Sequence, residues 1–123
     1  KVLFGGPMMG TAVKDLDNPV TKTTNAVLAL TKGETGESAG TACIRCGKCV
    51  SACPMNLIPP RICGAVNQKN VEAMLSADIM NCMECGCCAY SCPANRHIVN
   101  TIRLGKQIIN NEKKRQMPLK EGK

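Results

Sequence analysis

The feature that most constrains this chain is a duplicated run of cysteines. Cys43-Ile-Arg-Cys46-Gly-Lys-Cys49-Val-Ser-Ala-Cys53-Pro54 is followed thirty-nine residues later by Cys82-Met-Glu-Cys85-Gly-Cys-Cys88-Ala-Tyr-Ser-Cys92-Pro93. Both copies read C-x-x-C-G-x-C-x-x-x-C-P, and an internal repeat settles architecture before any single element does. Ten of the 123 residues are Cys, against one Phe, one Tyr and no Trp. That is about one small domain, with little aromatic bulk for a core. The thiols therefore have to hold it together, as disulfides, zinc ligands or iron-sulfur ligands.

The spacing separates these readings. A disulfide framework fits the count, but not eight cysteines in two identical runs. Zinc sites use C-x-x-C pairs separated by a longer loop, whereas here three cysteines follow one another at two-residue gaps and a fourth precedes Pro. That run binds 4Fe-4S clusters in bacterial ferredoxins, and two copies imply two clusters. Three Cys at i, i+3 and i+6 converge on three iron corners, while the fourth points towards the second cluster. The expected sets are Cys43, Cys46, Cys49 and Cys92 for cluster 1, and Cys82, Cys85, Cys88 and Cys53 for cluster 2. Gly47 and Gly86 permit close backbone approach with a free amide, and Pro54 and Pro93 turn the chain away. Cys63 and Cys87 fall outside the pattern; Cys63 reads as a small buried hydrophobe and Cys87 as a small loop residue.

Around the runs the sequence reads as mainly α. Pro59 and Pro60 suit a helix start, with Ile62 and Val66 on one face. Asn70 suits the cap of a second helix carrying Val71, Met74, Leu75 and Ile79. Ile98, Val99, Ile102, Ile108 and Ile109 mark a third, running to about Glu112. Ahead of the cysteines, Val2-Leu3-Phe4 reads as a short strand, Gly5-Gly6-Pro7 as a turn and Thr31 to Gly40 as an exposed linker. The expected division is 1–40, a segment with linker; 41–112, the cluster domain; and 113–123, a basic tail.

Lys and Arg number 16 and Asp and Glu 9, giving +7. Two oxidised clusters with their thiolates carry about −2 each, which brings the assembled charge to about +3. Arg45 and Lys48, inside the first run, suit either simple solvation or stabilisation of a reduced, more negative cluster. Lys113-Lys114-Arg115, with Lys120 and Lys123, suits a solvated helix end, with docking to an acidic partner or to anionic lipid as the alternative. The charge lacks aromatic platforms, which argues against nucleic-acid binding. Gly5 to Gly10 matches neither G-x-G-x-x-G nor a P-loop and reads as a tight turn; His97 reads as a helix-end residue. No apolar run approaches the roughly 18 residues of a membrane span. The start at Lys1, without Met, reads as the remainder of a longer protein.

"GGPMMG" at 5–10, "DLDNPVTKTTNAVLAL" at 15–30, "CIRCGKCVSACPMNLIP" at 43–59 and "CMECGCCAYSCP" at 82–93 together resemble the C subunits of Rnf (Rsx) electron-transport complexes. The resemblance covers all but the basic tail. It implies a prokaryotic, membrane-bound ferredoxin:NAD+ oxidoreductase that couples electron flow to Na+ or H+ translocation. The C subunit would be peripheral, on the cytoplasmic side, working with iron-sulfur, flavin and membrane subunits. It would carry an FMN- and NADH-binding region, a β-grasp segment and then a helical two-cluster ferredoxin domain.

On that mapping residues 1–30 are the end of the β-grasp segment and the return across the flavin domain, a short α/β remnant, and residues 41–112 are the ferredoxin domain. FMN and NADH would bind upstream of Lys1, so no residue here receives a flavin, nucleotide or catalytic role. The implied function is an electron relay through two 4Fe-4S clusters. The iron-sulfur subunit of a heterodisulfide-reductase-like or quinone-linked dehydrogenase is the alternative, although GGPMMG and P-V-x-K-x-T-N are not expected there. A zinc-stapled interaction module is the remote one.

Overall fold

The computed structural model describes residues 1–35 and 40–116. Three short strands, β1 (Val2–Phe4), β2 (Thr11–Val13) and β3 (Val27–Ala29), are followed by five helices. These are α1 (Lys48–Ser51), α2 (Pro59–Asn67), α3 (Val71–Ser76), α4 (Cys87–Tyr90) and α5 (Ile98–Gln116). The sheet order is β2-β1-β3, all antiparallel, with Leu3 opposite Ala12 on one side and Leu28 on the other. Strand β1 is as expected. β2 and β3 carry no periodicity of their own and exist because β1 offers both edges to pair with.

The thirty-nine-residue repeat of the sequence is a repeat of the backbone. α1 and α4 are each four residues long, stand in register and begin after a glycine at positive φ, Gly47 at 78° and Gly86 at 87°. Arg45 and Glu84 match at φ 56° and 59°, Asn56 and Asn95 at 52° and 48°. The Asn56 and Asn95 amides donate to the carbonyls of Cys53 and Cys92, both at 3.1 Å. α2 and α5 then start at equivalent positions, α2 with two prolines in its first turn, where the missing N–H is no loss.

The core lies where α2, α3 and α5 meet. Ile62, Met74, Ile79, Ile102 and Ile109 are fully buried there, and Cys49 and Cys88 reach the same cluster from the runs. Asn70 caps α3 as its sequence position predicts, accepting from the Ala73 amide at 3.0 Å. The helix is shorter than the apolar spacing suggests. It ends at Ser76, Asp78 takes a left-handed conformation, and Ile79 enters the core from a 3-10 turn over Ile79–Asn81. Leu75, within α3, is exposed. α5 runs through Gln116, past Glu112, with Lys113, Lys114 and Arg115 in its last turn, where cations favour the helix dipole. Lys120 and Lys123, like residues 36–39 of the Thr31–Gly40 stretch, lie outside the described residues. Thr31–Thr35 form a turn in which the Thr31 amide and hydroxyl both donate to the Glu34 carboxylate.

Two glycines test the packing in opposite directions. At Gly105 in α5 a Cβ would lie 2.5 Å from Val66 Cγ2 and 2.6 Å from Ile79 Cδ1, whereas at Gly64 in α2 it would meet nothing within 4 Å. Gly105→Ala is expected to destabilise by about 1–3 kcal/mol through overpacking. Gly64→Ala is expected to stabilise by up to ~1 kcal/mol through helix propensity. Thermal melting of both variants checks the pair; equal and unchanged midpoints would contradict this packing.

Candidate metal centre

Each cysteine run is a short loop that the left-handed residues fold back on its first sulfur. The Arg45 amide hydrogen-bonds Cys43 and holds its thiol below the ordinary value, with help from the Arg96 guanidinium against partial desolvation. In the second run the Glu84 amide donates to Cys82 Sγ at 3.4 Å. The third cysteine of each run, Cys49 or Cys88, is carried inward by its four-residue helix and is buried. Burial raises both thiols, Cys88 to about 11. The fourth leaves on the far side, and Cys53 Sγ accepts from the Leu57 amide at 3.4 Å.

Two concavities result. The first is lined by Cys43, Cys46, Cys49 and Cys92, with Arg45, Pro60, Cys63, Arg96 and Ile98. The second is lined by Cys53, Cys82, Cys85 and Cys88, with Leu57, Pro59, Ile62, Glu84, Val99 and Ile102. Each gathers three cysteines from one run and the fourth from the other.

The donor chemistry fits an iron-sulfur cluster. All ten cysteines are free thiols, and four cysteines of the runs line each concavity, joined at the first by Cys63. Among the described residues, no three His, Cys, Asp or Glu side chains converge closely enough to hold one metal ion. A tetrahedral zinc needs its sulfurs about 2.3 Å from a single point. A cubane takes one thiolate at each of four corners, the number of cysteines that the two runs bring to each concavity.

The surroundings of the two cavities differ. Cys43 and Cys46 of the first are exposed, whereas Cys82, Cys85 and Cys53 of the second are half-buried. Glu84, the counterpart of Arg45, is clamped by α5: Arg103 Nε donates to Oε2 at 2.8 Å and Lys106 Nζ to Oε1 at 2.9 Å. Lys106 also donates to the Cys82 carbonyl at 2.5 Å. Burial opposes ionisation of Glu84, yet the two cations outweigh it and hold the carboxyl below its usual value. Arg103 reaches on to the Met9 carbonyl at 2.6 Å, tying the β1–β2 turn to the second run. That turn closes through Gly10 N–H donating to Gly6 O at 2.7 Å.

Sequence reasoning missed this clamp, because Glu84 lies 19 and 22 residues from its partners. Cys63 is buried as expected at 4% exposure, but it faces the first cavity, a fifth thiol there, and burial pushes it up to about 11. Cys87 opens α4 with its thiol hydrogen-bonded to Cys85, which raises it. His97 is exposed and immediately precedes α5.

Known proteins match this arrangement in sequence. The 4Fe-4S dicluster domain family matches residues 42–96. Over 105 residues the chain is 47% identical to the C subunit of the proton-translocating ferredoxin:NAD(+) oxidoreductase complex of Clostridium ljungdahlii, covering 84% of this chain and 23% of that protein. The C subunit of the Na(+)-translocating ferredoxin:NAD(+) oxidoreductase complex of Acetobacterium woodii is 46% identical over 110 residues, 89% of this chain and 25% of its own. That of the ion-translocating oxidoreductase complex of Rhodobacter capsulatus is 44% identical over 106 residues, 86% of this chain and 20% of its own. This chain is a homologue of those C subunits. It spans a quarter or less of their length. The likeness to the C subunits extends well beyond the dicluster domain, as the motifs at 5–30 led one to expect. Among the described residues no helix is long and apolar enough to cross a membrane.

The paired glycines of the runs share a backbone conformation but not a neighbour. A Cβ at Gly47 meets nothing within 4 Å, while one at Gly86 lies 2.7 Å from the Met8 carbonyl oxygen. Both alanine variants incur the left-handed strain of about 1–2 kcal/mol. Only Gly86→Ala is expected also to push the β1–β2 turn away, seen as faster amide exchange at Gly10. Equal exchange in the two variants would mean that this turn does not rest on the second run.

Proposed function

We propose that this chain is the electron-relay segment of a C subunit in an ion-translocating ferredoxin:NAD+ oxidoreductase. In this reading Cys43, Cys46, Cys49 and Cys92 bind one 4Fe-4S cluster, and Cys82, Cys85, Cys88 and Cys53 bind another. The observation that carries the reading is the crossed lining of the two concavities, three cysteines from one run and one from the other. The matched dicluster domain and the similarity to C subunits on both sides of it support the same conclusion, and favour it over another dehydrogenase's iron-sulfur subunit.

Each cluster, when bound, takes up and releases one electron. This chain's residues supply four thiolates per site, largely apolar walls and backbone N–H groups aimed at sulfur. The Arg45, Glu84 and Leu57 amides donate to Cys43, Cys82 and Cys53, and such hydrogen bonds set cluster potential. No side chain has to act as acid, base or nucleophile. FMN and NADH would belong to the rest of the parent subunit, on the cytoplasmic face of the cell membrane. Iron-sulfur, flavin and membrane subunits would complete the assembly, with Na+ or H+ movement coupled to electron flow.

Anaerobically reconstituted protein should bind about eight irons, as two cubanes of four, with a broad visible band bleached by dithionite. Cys53→Ser should impair the second-run cluster and Cys92→Ser the first-run cluster, each losing up to half the iron. Paramagnetic resonance of the reduced variants shows which signal survives. Loss of the first-run signal alone in Cys53→Ser would refute the crossed ligand sets, and zinc in place of iron would refute the relay.

A further inference from the structure

The thirty-nine-residue repeat maps one cavity onto the other. Every residue lining the first has its mate, thirty-nine positions away, on the lining of the second, which adds only Ile62. Most exchanges leave the chemistry alone: the exposed Met83 stands for the exposed Ile44 and the exposed Met55 for Ala94, apolar for apolar. Three exchanges alter it, placing Arg45, Cys63 and Arg96 at the first cavity where the second has Glu84, Ile102 and Leu57. The Arg45 exchange is offset by its neighbours, since Arg103 and Lys106 on Glu84 leave −1 + 2 = +1 there, the formal charge of Arg45. The Cys63 exchange sets a thiol, a weak donor, against a hydrocarbon. The Arg96 exchange sets a half-buried guanidinium against a buried aliphatic side chain. Arg96 stands against Cys43, a thiol that the Arg45 amide already serves just as the Glu84 amide serves Cys82. Arg103 and Lys106, by contrast, stand behind Glu84 and do not line the second cavity, and Lys48 and its mate Cys87 line neither.

We propose that Arg96 sets the two sites at different reduction potentials, with the first site, that of Cys43, Cys46, Cys49 and Cys92, the higher of the two. The inference rests on the electron-relay reading and deepens it by ordering the two stations. A guanidinium donating to a ligand sulfur forms a charge-assisted hydrogen bond, which strengthens as negative charge on that sulfur grows. It therefore favours the reduced state, which carries one electron more, and net charge and hydrogen bonds to sulfur are levers that set such potentials. Leu57, on the matching wall of the second site, offers neither a charge nor a side-chain donor. Cys63 acts in the same direction but more weakly. An electron shared between the sites settles at the first: the second site is oxidised by one electron and the first reduced by one, with no bond made or broken.

The test titrates iron-loaded protein anaerobically with dithionite and follows it by paramagnetic resonance, with Cys92→Ser, which lacks a first-site ligand, assigning the two signals. At one electron per protein the first-site signal should exceed the second-site signal by at least about tenfold, equivalent to about 59 mV for a one-electron couple. Arg96→Leu gives the first site the residue of the second and should bring that ratio to within about threefold of unity. Arg96→Lys keeps the charge and should stay within about threefold of the native ratio, and Cys63→Ala within about twofold. If Arg96→Leu loses iron, Arg96→Gln, neutral and still polar, decides in its place. A native ratio near unity or below it, a ratio unmoved by the neutral Arg96 variants, Arg96→Lys behaving as Arg96→Leu, or a larger shift from Cys63→Ala overturns the assignment. About eight irons and bleaching by dithionite retained in that case leave the relay standing; their absence removes the relay and this inference with it.

Discussion

A left-handed turn between the first two cysteines of each run is the constraint from which the rest of the structure follows. Arg45 and Glu84 adopt it at φ 56° and 59°, and each thereby aims its own amide at the sulfur two residues back. Gly47 and Gly86 repeat the left-handed conformation at the start of the short helices that bury Cys49 and Cys88. Asn56 and Asn95 use it once more to direct the chain into α2 and α5. For residues other than glycine this conformation costs roughly 1–2 kcal/mol apiece, and it persists only where the surroundings over-determine it. Four non-glycine residues in register across a thirty-nine-residue repeat point to one cause acting twice. Thiolate-iron bonds at the proposed ligand sets would be a cause of sufficient strength, since metal-binding energy in small domains is folding energy.

Upon that symmetry the chain lays a systematic difference. Glycines with one conformation have different neighbours, open space at Gly47 and the Met8 carbonyl at Gly86. Residues at one position carry opposite charge, Arg45 exposed and Glu84 held between two cations. Residue type and not helix length produces the second effect: Arg103 and Lys106 of α5 reach the loop at Glu84, whereas their counterparts thirty-nine residues earlier, Gly64 and Asn67, both lie within α2 and carry no charge. A duplicated motif is thus made into two inequivalent sites without altering any of the eight cysteines.

What the sequence showed and what it hid divide along the range of the interactions. The run spacing, the prolines opening α2, the Asn70 cap and the apolar face of α5 are local patterns, and each is legible from neighbours within a few residues. The end of α3 is not. Val71 to Ile79 keep helical spacing, and the left-handed Asp78 that breaks it answers to where Ile79 must enter the core. β2 and β3 are three residues long, too short to show period two, and exist by pairing with β1. The ion pairs of Glu84 and the Met9 tie to Arg103 span 19 to 94 residues, beyond any local signal. For Cys63 the apolar face of α2 predicted burial, but not that this face would be the wall of the first cavity.

The crossing of the fourth cysteines is continued by the helices behind them. α2 follows the first run, yet Pro60 and Cys63 line the first cavity while Pro59 and Ile62 line the second. α5 follows the second run, yet Ile98 lines the first cavity while Val99 and Ile102 line the second. Ile62 and Ile102 are also fully buried in the common core. Neither cavity can therefore close without both halves of the chain, and neither can shift without dragging the core that the other shares. For a relay this has a direct consequence. Electron transfer between two centres depends steeply on their separation, and here one packed layer of side chains fixes it. The interleaving that gives a chain with two aromatic residues enough cohesion to fold is the same feature that holds its two sites at one distance.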